Sequence, residues 1–368
     1  MTVSLCLIVK NEEAVLGRCL ESAAPVADEI IITDTGSTDS TEAVARQYTS
    51  NVFRFPWADD FSAARNAGLA RAAMDFILWL DADDVIPPVS QAALIALKKD
   101  LTPDVSVVML PYHAAFDEAG APTLTYYRER LIRNFQGFFF EGAVHEAITP
   151  RGNILWRDIP IEHRKTGPGS PGRNLAILEA RLAAGLPFDP RQQYYYGREL
   201  FDNRRYGEAA QALADFLDEG RGWVENNIEA CYLLSQCYAR MEPQGARLDL
   251  AGLNALFRSF RYAPSRPEGL CRVGEWFLAR DRLEEAVYWY QAALACPPTH
   301  GAGFTLPEYS GYIPCLQLCV CYDRLGQLDL AREYNDRAGR FRPGSPAYLS
   351  NKAYFNARRE GAVPHEPV

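Results

Sequence analysis

The chain has 368 residues and a mass of 41.2 kDa, a length that favours two domains over one or three. Apolar residues make up 48% of the sequence and charged residues 23%, as expected for a protein with a sizeable hydrophobic core. No stretch approaches eighteen consecutive apolar residues, which excludes a membrane-spanning helix. The apolar run at residues 3–9 has no basic residues before it, which argues against a signal peptide.

The cysteines and the charge narrow the class of protein further. The nine cysteines are odd in number and include no C-x-x-C pair, so neither a disulfide framework nor a structural zinc site is expected. Reduced thiols without an export signal predict a cytoplasmic location. The net charge is −9, and the first 150 residues carry 21 acidic but only 11 basic side chains. An acidic chain without a basic stripe is a poor candidate for binding nucleic acid, and it would handle an anionic ligand most readily with a divalent cation.

The first half of the sequence alternates short apolar runs with amphipathic stretches. The apolar runs predict strands at residues 3–9, 29–33, 52–55 and 76–80. The stretches between them predict helices at residues 12–22, 40–47 and 61–73. This alternation is typical of βαβ units with a parallel sheet. Further along, residues 105–113 and 126–134 are predicted as two more strands.

The second half has a different pattern, with a helical repeat. Residues 166–185 are predicted as a linker, because glycine and proline are concentrated at its start. Small and aromatic residues then recur at the spacings of a tetratricopeptide helix pair: Gly274, Phe277, Ala286, Tyr290, Ala293 and Pro298. The pattern returns at Tyr322, Ala331, Ala338 and Pro343, and weaker copies begin at Gly197 and Ile228. We therefore expect a helical solenoid over residues 186–350 and a tail over 351–368, with a generic helical bundle as the alternative.

The strongest chemical signal is an acidic motif that directly follows the predicted strand at residues 76–80. Open α/β sheets bind their ligands at the carboxyl ends of the strands, where Asp81, Asp83 and Asp84 emerge. Asp81 and Asp83 are two residues apart, so both side chains face the same side of an extended backbone. Carboxylates in this arrangement suit Mg²⁺ or Mn²⁺ held against a diphosphate. An acidic turn that caps the next helix is the alternative.

Two more polar motifs follow strands of the same predicted sheet. The segment 34–39, which begins with Asp34, follows the second strand, and the segment 9–12 follows the first. Because three such motifs converge on one edge, a ligand site is favoured over unrelated turns. A dinucleotide-binding Rossmann domain is excluded, because no G-x-G-x-x-G follows the first strand.

These motifs resemble those of family-2 glycosyltransferases with the GT-A fold. The matching segments are SLCLIVKNEE (4–13), DEIIITDTGSTD (28–39), FSAARNAG (61–68) and LWLDAD (78–83). VHE (144–146) matches an element of one branch, which includes lipopolysaccharide-core glucosyltransferases and sublancin-type peptide S-glycosyltransferases. The resemblance covers residues 1–165. It implies an α/β GT-A domain, which is Rossmann-like and has a mostly parallel sheet. Some bacterial members of the family also resemble this chain in having an all-α tetratricopeptide-type solenoid after that domain.

The resemblance implies a set of residues that bind the nucleotide sugar: Val9, Asn11, Glu12, Asp34, Arg65, Asn66 and Asp81. Asp34 and the segment 7–12 would hold the base and ribose. Arg65 and Asn66, on the helix after the third strand, would approach the ribose or the diphosphate. Asp81 would take the ribose or sugar side.

The implied reaction is inverting transfer of one sugar from a nucleoside diphosphate sugar, most commonly a UDP-sugar. Such a displacement needs a base for the acceptor proton and a metal ion for the departing diphosphate. Asp83 would bind this Mn²⁺ or Mg²⁺ ion, and His163 would complete the metal site. Glu146, which lies 63 residues after Asp83, would act as the base. Arg164 and Lys165 would neutralise the diphosphate on a mobile lid.

Some of these roles have structural alternatives. Glu146 could anchor a loop, and His163 could be an ordinary surface histidine. His145 is a weaker candidate for the base than Glu146, because adjacent residues on a strand face opposite sides. The sequence lacks the Q-x-x-R-W motif of processive polysaccharide synthases, which argues against chain polymerisation.

The repeats indicate what the acceptor could be. Tetratricopeptide arrays present a concave groove that commonly binds extended peptides or partner proteins. We therefore favour a glycosyltransferase that modifies a peptide or protein bound by the repeats. A lipopolysaccharide or other envelope glycan is the alternative acceptor, and an inactive scaffold that acts through its repeats is the alternative outside enzymes. Homodimerisation through the repeats is a further alternative.

Overall fold

The computed structural model describes residues 1–118, 120–165, 172–241, 246–297, 303 and 306–359. The chain divides into two compact units. The first unit comprises Met1–Phe116 and Leu124–Gln192, and the second comprises Asp117–Thr123 and Gln193–Val368. None of the helices in the described ranges combines the length and the apolar composition that crossing a membrane requires.

The α/β part of the chain contains eleven strands within the described residues. They are β1 (Val3–Val9), β2 (Glu29–Asp34), β3 (Val52–Arg54), β4 (Phe76–Leu80), β5 (Asp84–Val85), β6 (Val105–Phe116), β7 (Pro122–Arg133), β8 (Phe140–Glu141), β9 (Ala147–Ile148), β10 (Asn153–Trp156) and β11 (Ile161–His163). The helices are α1 (Leu16–Ala23), α2 (Thr41–Ala45), α3 (Phe61–Leu69), α4 (Pro88–Asp100) and α5 (Arg173–Ala183). All six strands predicted from the sequence are present.

Nine of the described strands form one mixed, mostly parallel sheet in the order β3-β2-β1-β4-β7-β6-β11-β5, with β10 paired to β6. Strand β1 runs parallel to β2 and to β4, whereas β4 and β7 are antiparallel. Every residue of β4 is buried, as expected for a central strand whose two faces are both covered. The carboxyl ends of β1, β2 and β4 therefore lie side by side, and the three polar motifs emerge there. The predicted α/β fold class is confirmed.

The segment predicted as a linker is partly helical. Residues 166–171 lie outside the described residues, but α5 forms at residues 173–183 and buries Leu175, Ile177 and Leu178. Arg181 at the end of α5 lies 3.9 Å from Asp60 at the start of α3. The expectation of a linker over 166–185 is therefore wrong for α5, which is a helix of the first unit with buried apolar side chains.

The described residues that follow α5 are mostly helical. The helices are α6 (Pro190–Asp202), α7 (Tyr206–Glu219), α8 (Val224–Arg240), α9 (Ala246–Ser259), α10 (Pro267–Leu278), α11 (Leu283–Ala295), α12 (Tyr312–Arg324), α13 (Leu328–Phe341) and α14 (Pro346–Arg359). Consecutive helices pack against each other, as α8 does with α9, α10 with α11 and α12 with α13. Helix α14 extends to residue 359, so the tail that was expected from residue 351 is helical at its start.

The repeat positions identified in the sequence lie between paired helices. Gly274 on α10 faces Tyr290 on α11, and a Cβ atom added at Gly274 would lie 3.0 Å from that ring. Four alanines at repeat positions are fully buried: Ala286, Ala293, Ala331 and Ala338. Small side chains at these positions allow the helices to approach closely. The predicted helical repeats are confirmed, although Pro298 lies outside the described residues.

Candidate active site

The loops that follow β1 and β2 are joined by hydrogen bonds. Asn11 has φ 55°, a left-handed conformation that asparagine tolerates better than most residues. Its backbone N–H donates to Ser37 Oγ at 3.0 Å, and its side-chain Oδ1 accepts from the Thr38 N–H at 2.8 Å. The Val9 carbonyl accepts from the Thr35 N–H at 2.9 Å. The first two polar motifs therefore form one continuous rim.

Asp34 ends β2 below this rim and is only 1% exposed. Its Oδ1 accepts hydrogen bonds from the N–H groups of Gly36 and Ser37 at 2.9 and 2.8 Å. Its Oδ2 is buried and has no hydrogen-bond partner among the described residues. Because buried polar atoms are normally hydrogen-bonded, Asp34 offers an acceptor that a ligand N–H or O–H group would satisfy.

Glu12 belongs to a group of carboxylates at the same edge. Its N–H donates to Thr41 Oγ1 at 2.7 Å, which fixes its backbone. Burial raises the pKa of Glu12, and so do the negative charges of three neighbours. These neighbours, in order of their effect, are Asp83, Asp39 and Asp81. A bound cation would relieve the repulsion among these groups.

Arg65 on α3 links two carboxylates of the site. Its side chain is 8% exposed, its Nε donates to Glu146 Oε1 at 2.5 Å, and its Nη2 pairs with Asp81. Burial opposes ionisation of Asp81, but the charges of Arg65 and Arg130 outweigh it and hold the pKa of Asp81 well below its usual range. Arg65 was expected to approach the ribose or diphosphate. Its guanidinium contacts Asp81 and Glu146, and its approach to the ribose or diphosphate stays a prediction.

Asn66 on α3 is hydrogen-bonded to the backbone of β8. Its Nδ2 donates to the Phe140 carbonyl at 2.9 Å, and its Oδ1 accepts from the Phe140 N–H at 2.7 Å. Both ends of the amide therefore fasten β8 to α3. The approach of Asn66 to the ribose or diphosphate stays a prediction.

Glu146 lies between β8 and β9, which pair as a short hairpin. The Ala143 carbonyl accepts from the Phe61 N–H at 2.8 Å, which ties this hairpin to the start of α3. His145 has φ 52°, and its carbonyl accepts from Arg191 Nε at 3.1 Å. The chain thus turns immediately before Glu146, and the Glu146 carboxylate contacts Arg65 with 11% of the side chain exposed.

Asp83, Asp84 and His163 form a cluster that could hold a metal ion. One ligand atom from each lies within 4.8 Å of the other two. His163 Nδ1 is 3.3 Å from Asp83 Oδ1 and 3.6 Å from Asp84 Oδ1. The cluster forms because β11 pairs antiparallel with β5, which sets His163 opposite Asp84. Two carboxylates and an imidazole are a ligand set that fits Mn²⁺.

The protonation of His163 would affect such a metal site. Contacts with the carboxylates of Asp83 and then Asp84 raise the pKa of His163 to about 10. An imidazole must be neutral to bind a metal. A cation therefore competes with a proton at His163, and binding of the cation should strengthen as the pH rises.

Asp84 is held in place by two residues that were not predicted from the sequence, Arg130 and Tyr112. Asp84 and Arg130 are both fully buried, and Arg130 Nη2 lies 3.0 Å from Asp84 Oδ2. The Tyr112 hydroxyl donates to Asp84 Oδ1 at 2.8 Å. The Asp81 N–H donates to Asp84 Oδ2 at 2.9 Å. This buried pair fixes the backbone of the acidic motif.

One sequence signal could have revealed this network. Arg128 and Arg130 are two residues apart on β7, so their side chains face the same side. Their guanidinium carbons lie 4.6 and 4.1 Å from the ring centre of Trp79, which is fully buried on β4. When arginines occupy alternate positions of a strand directly before its buried apolar residues, they indicate buried carboxylates that pair with them. An unpaired charge would be costly in that environment.

The basic residues after β11 are placed at the same edge. The Arg164 N–H donates to the Asp83 carbonyl at 2.9 Å, and its Nε donates to Glu162 Oε2 at 2.8 Å. Lys165 is exposed and directly precedes residues 166–171, which lie outside the described residues. The role of Arg164 and Lys165 on a mobile lid stays a prediction.

The chain thus combines two parts. The first is an α/β unit with acidic residues at the carboxyl ends of its strands, and the second consists of helical repeats. The family model "Glycosyl transferase family 2" matches residues 4–159. These residues are therefore a family-2 glycosyltransferase domain, and the resemblance drawn from the sequence is confirmed.

Three curated relatives resemble larger or smaller parts of the chain. The TPR repeat-containing protein Synpcc7942_0270 of Synechococcus elongatus is 39% identical over 80% of this chain and 66% of its own length. The lipopolysaccharide core biosynthesis glycosyltransferase LpsC of Rhizobium meliloti is 30% identical over 42% of this chain and 59% of its own length. The prophage-derived glycosyltransferase SunS of Bacillus subtilis is 25% identical over 64% of this chain and 59% of its own length. The chain thus spans 59 to 66% of the length of these relatives.

Proposed function

We propose that this chain is a metal-dependent inverting glycosyltransferase that moves one sugar from a UDP-sugar to a peptide or protein acceptor held by the repeats. The observation that carries the proposal is the convergence of Asp34, Asp81 and Asp83 on one edge of the sheet, with His163 beside Asp83. That edge combines a buried acceptor for a base or ribose with a carboxylate–imidazole set for a cation. The nine cysteines are all unpaired, which supports the proposed cytoplasmic location.

Each part of the donor would meet a different part of the edge. The unpartnered Oδ2 of Asp34 would accept from the uracil imide or a ribose hydroxyl. Asp83 and His163 would hold Mn²⁺ or Mg²⁺, with Asp84 beside them. When bound, the ion would stabilise the negative charge of the departing diphosphate. Asp81, kept ionised by its arginine neighbours, would accept from the ribose or the sugar hydroxyls.

The remaining groups would act on the diphosphate and the acceptor. Arg164 and Lys165 would add positive charge beside the diphosphate. Glu146 shares its arginine partner with Asp81, so its carboxylate lies close to the proposed sugar position. We assign Glu146 as the base: it takes the acceptor proton while the acceptor atom bonds to the anomeric carbon and the bond to the diphosphate breaks.

Replacing Glu146 by Gln is expected to lower turnover by at least about a hundredfold, because general-base catalysis contributes about 10²–10⁴-fold. Donor affinity should change little, since glutamine retains an oxygen acceptor for Arg65. Initial rates of UDP release across a pH series measure the effect. Glu141→Gln, in the same hairpin but exposed, is the matched control and should keep its turnover. A loss of only a few-fold at every pH would show that Glu146 is not the base.

Two acceptor classes can be separated in one experiment. The chain is incubated with Mn²⁺, a radiolabelled UDP-sugar and a bacterial extract, and the product is divided into protein and glycolipid fractions. We expect label in protein that protease treatment releases as peptides. Label confined to glycolipid would favour a lipopolysaccharide acceptor instead, an alternative supported by the similarity to LpsC. The absence of label from both fractions would favour the inactive scaffold.

A further inference from the structure

A pocket of about 350 Å³ lies within the second unit, bordered by α8, α9, α10 and the short 3₁₀ turn Pro307–Ser310. Six of its lining residues are basic or aromatic: Arg240, Arg272, Arg280, Tyr232, Trp276 and Tyr309. The one carboxylate in the described lining is Glu275. The pocket therefore has an excess of two positive charges, although the whole chain has a net charge of −9.

Aromatic rings hold two of these arginines in place. The Arg280 guanidinium lies 3.9 Å from the ring centre of Trp276, and its Nη1 donates to the Trp276 carbonyl at 2.8 Å. The Arg272 guanidinium lies 5.0 Å from the ring centre of Tyr232 and 5.9 Å from that of Tyr309. Stacking on a ring fixes the direction of a guanidinium without neutralising its charge.

Arg272 has a further feature that points to a ligand. Its Nε is buried and has no hydrogen-bond partner among the described residues. A guanidinium presents its N–H groups as a planar fork that matches a carboxylate. The aromatic rings around it would cover the apolar part of an aspartate or glutamate side chain. A volume of about 350 Å³ admits such a side chain with its neighbouring peptide units.

We propose that this pocket binds a glutamate or aspartate of an extended peptide and so selects acidic segments. That the peptide is the sugar acceptor rests on the proposed function, whereas the binding itself does not. The carboxylate pairs with Arg272, while Arg240 and Arg280 favour further acidic residues on either side of it. Neutral or basic segments lack this pairing with Arg272.

The test uses the full chain and a fluorescein-labelled decapeptide that contains four glutamates, followed by fluorescence anisotropy. A matched peptide has glutamines at the same four positions. We expect binding of the glutamate peptide to be at least about tenfold tighter and to weaken as salt is added. Equal affinity for the two peptides would overturn the proposal, and so would the absence of binding by either peptide.

Variants assign the effect to the pocket. Arg272→Gln should weaken binding of the glutamate peptide by about tenfold, in line with the loss of a charged hydrogen bond. Arg337→Gln is the matched control, because Arg337 is also half-buried and lies 4.8 Å from a tyrosine ring, that of Tyr334, but does not line the pocket. Circular dichroism confirms that both variants are folded. Unchanged binding by Arg272→Gln, or an equal loss in both variants, would overturn the assignment.

The peptide measurement needs neither donor nor turnover, so it is independent of the proposed function. Nucleotide binding without discrimination between the peptides would overturn the pocket assignment and leave the glycosyltransferase proposal in place. Discrimination between the peptides without nucleotide binding would uphold the pocket and remove the enzymatic role.

Discussion

Replacing Asp83 by Asn is expected to reduce metal-dependent UDP release by about a hundredfold or more. The substitution keeps the size of the side chain but removes a negative charge from the cluster with His163. Metal stabilisation of a leaving group contributes several kcal/mol to catalysis. Initial rates over a range of Mn²⁺ concentrations measure the effect. The variant should need far more Mn²⁺ for any residual rate, because the loss acts through the metal.

Asp75→Asn is a matched control for this prediction. Asp75 precedes the same strand, β4, at its opposite end, and its Oδ2 accepts from the Thr2 N–H at 2.9 Å. An asparagine oxygen can still accept that hydrogen bond, so the Mn²⁺ dependence should match the unaltered chain. Full Mn²⁺-dependent turnover by Asp83→Asn would contradict the metal assignment, as would an equal loss in the control.

Replacing Arg130 by Met is expected to lower the free energy of unfolding by about 3–5 kcal/mol. The substitution leaves the Asp84 carboxylate fully buried without its counterion, and breaking a buried ion pair on one side has a cost of this size. Urea denaturation followed by tryptophan fluorescence measures it. Donor affinity should fall as well, because Asp84 holds the N–H of Asp81.

Two further variants separate the ion pair from general packing. Arg133→Met changes a half-buried arginine on the same strand, beside Phe76, and should cost less than about 1 kcal/mol. The double variant Asp84→Asn with Arg130→Met should lose less unfolding free energy than the two single variants lose together, because no unpaired charge is left buried. Strict additivity, or an Arg130→Met loss as small as that of Arg133→Met, would contradict the role given to the pair.

Much of the fold follows from periodicity in the sequence. The apolar runs that form β1 and β4 are buried on both faces, which is why they lack the alternation of a half-exposed strand. Helix ends were less predictable. The helix expected over residues 12–22 begins at Leu16, because Glu12 belongs to the turn that is tied to Thr41. Composition alone also missed α5, whose apolar residues follow a glycine- and proline-rich stretch.

The site was predictable only in part, for a physical reason. The acidic motifs follow their strands directly, so the sheet itself brings Asp34 and Asp81 to one edge. The proximity of His163 to Asp84 depends on the pairing of β11 with β5, which no local pattern reveals. Motif identity also does not show which partner a polar side chain contacts: Asn66 holds the backbone of Phe140.

The central claim is that the acidic edge is a metal-dependent site for a nucleoside diphosphate sugar. Calorimetric titration of the full chain with UDP, and then with UDP-, GDP- and dTDP-sugars, each with Mn²⁺ and with EDTA, tests it most directly. We predict micromolar binding of UDP and of one UDP-sugar in Mn²⁺, at least about tenfold weaker in EDTA. Absence of binding by every nucleotide in both conditions would contradict the claim.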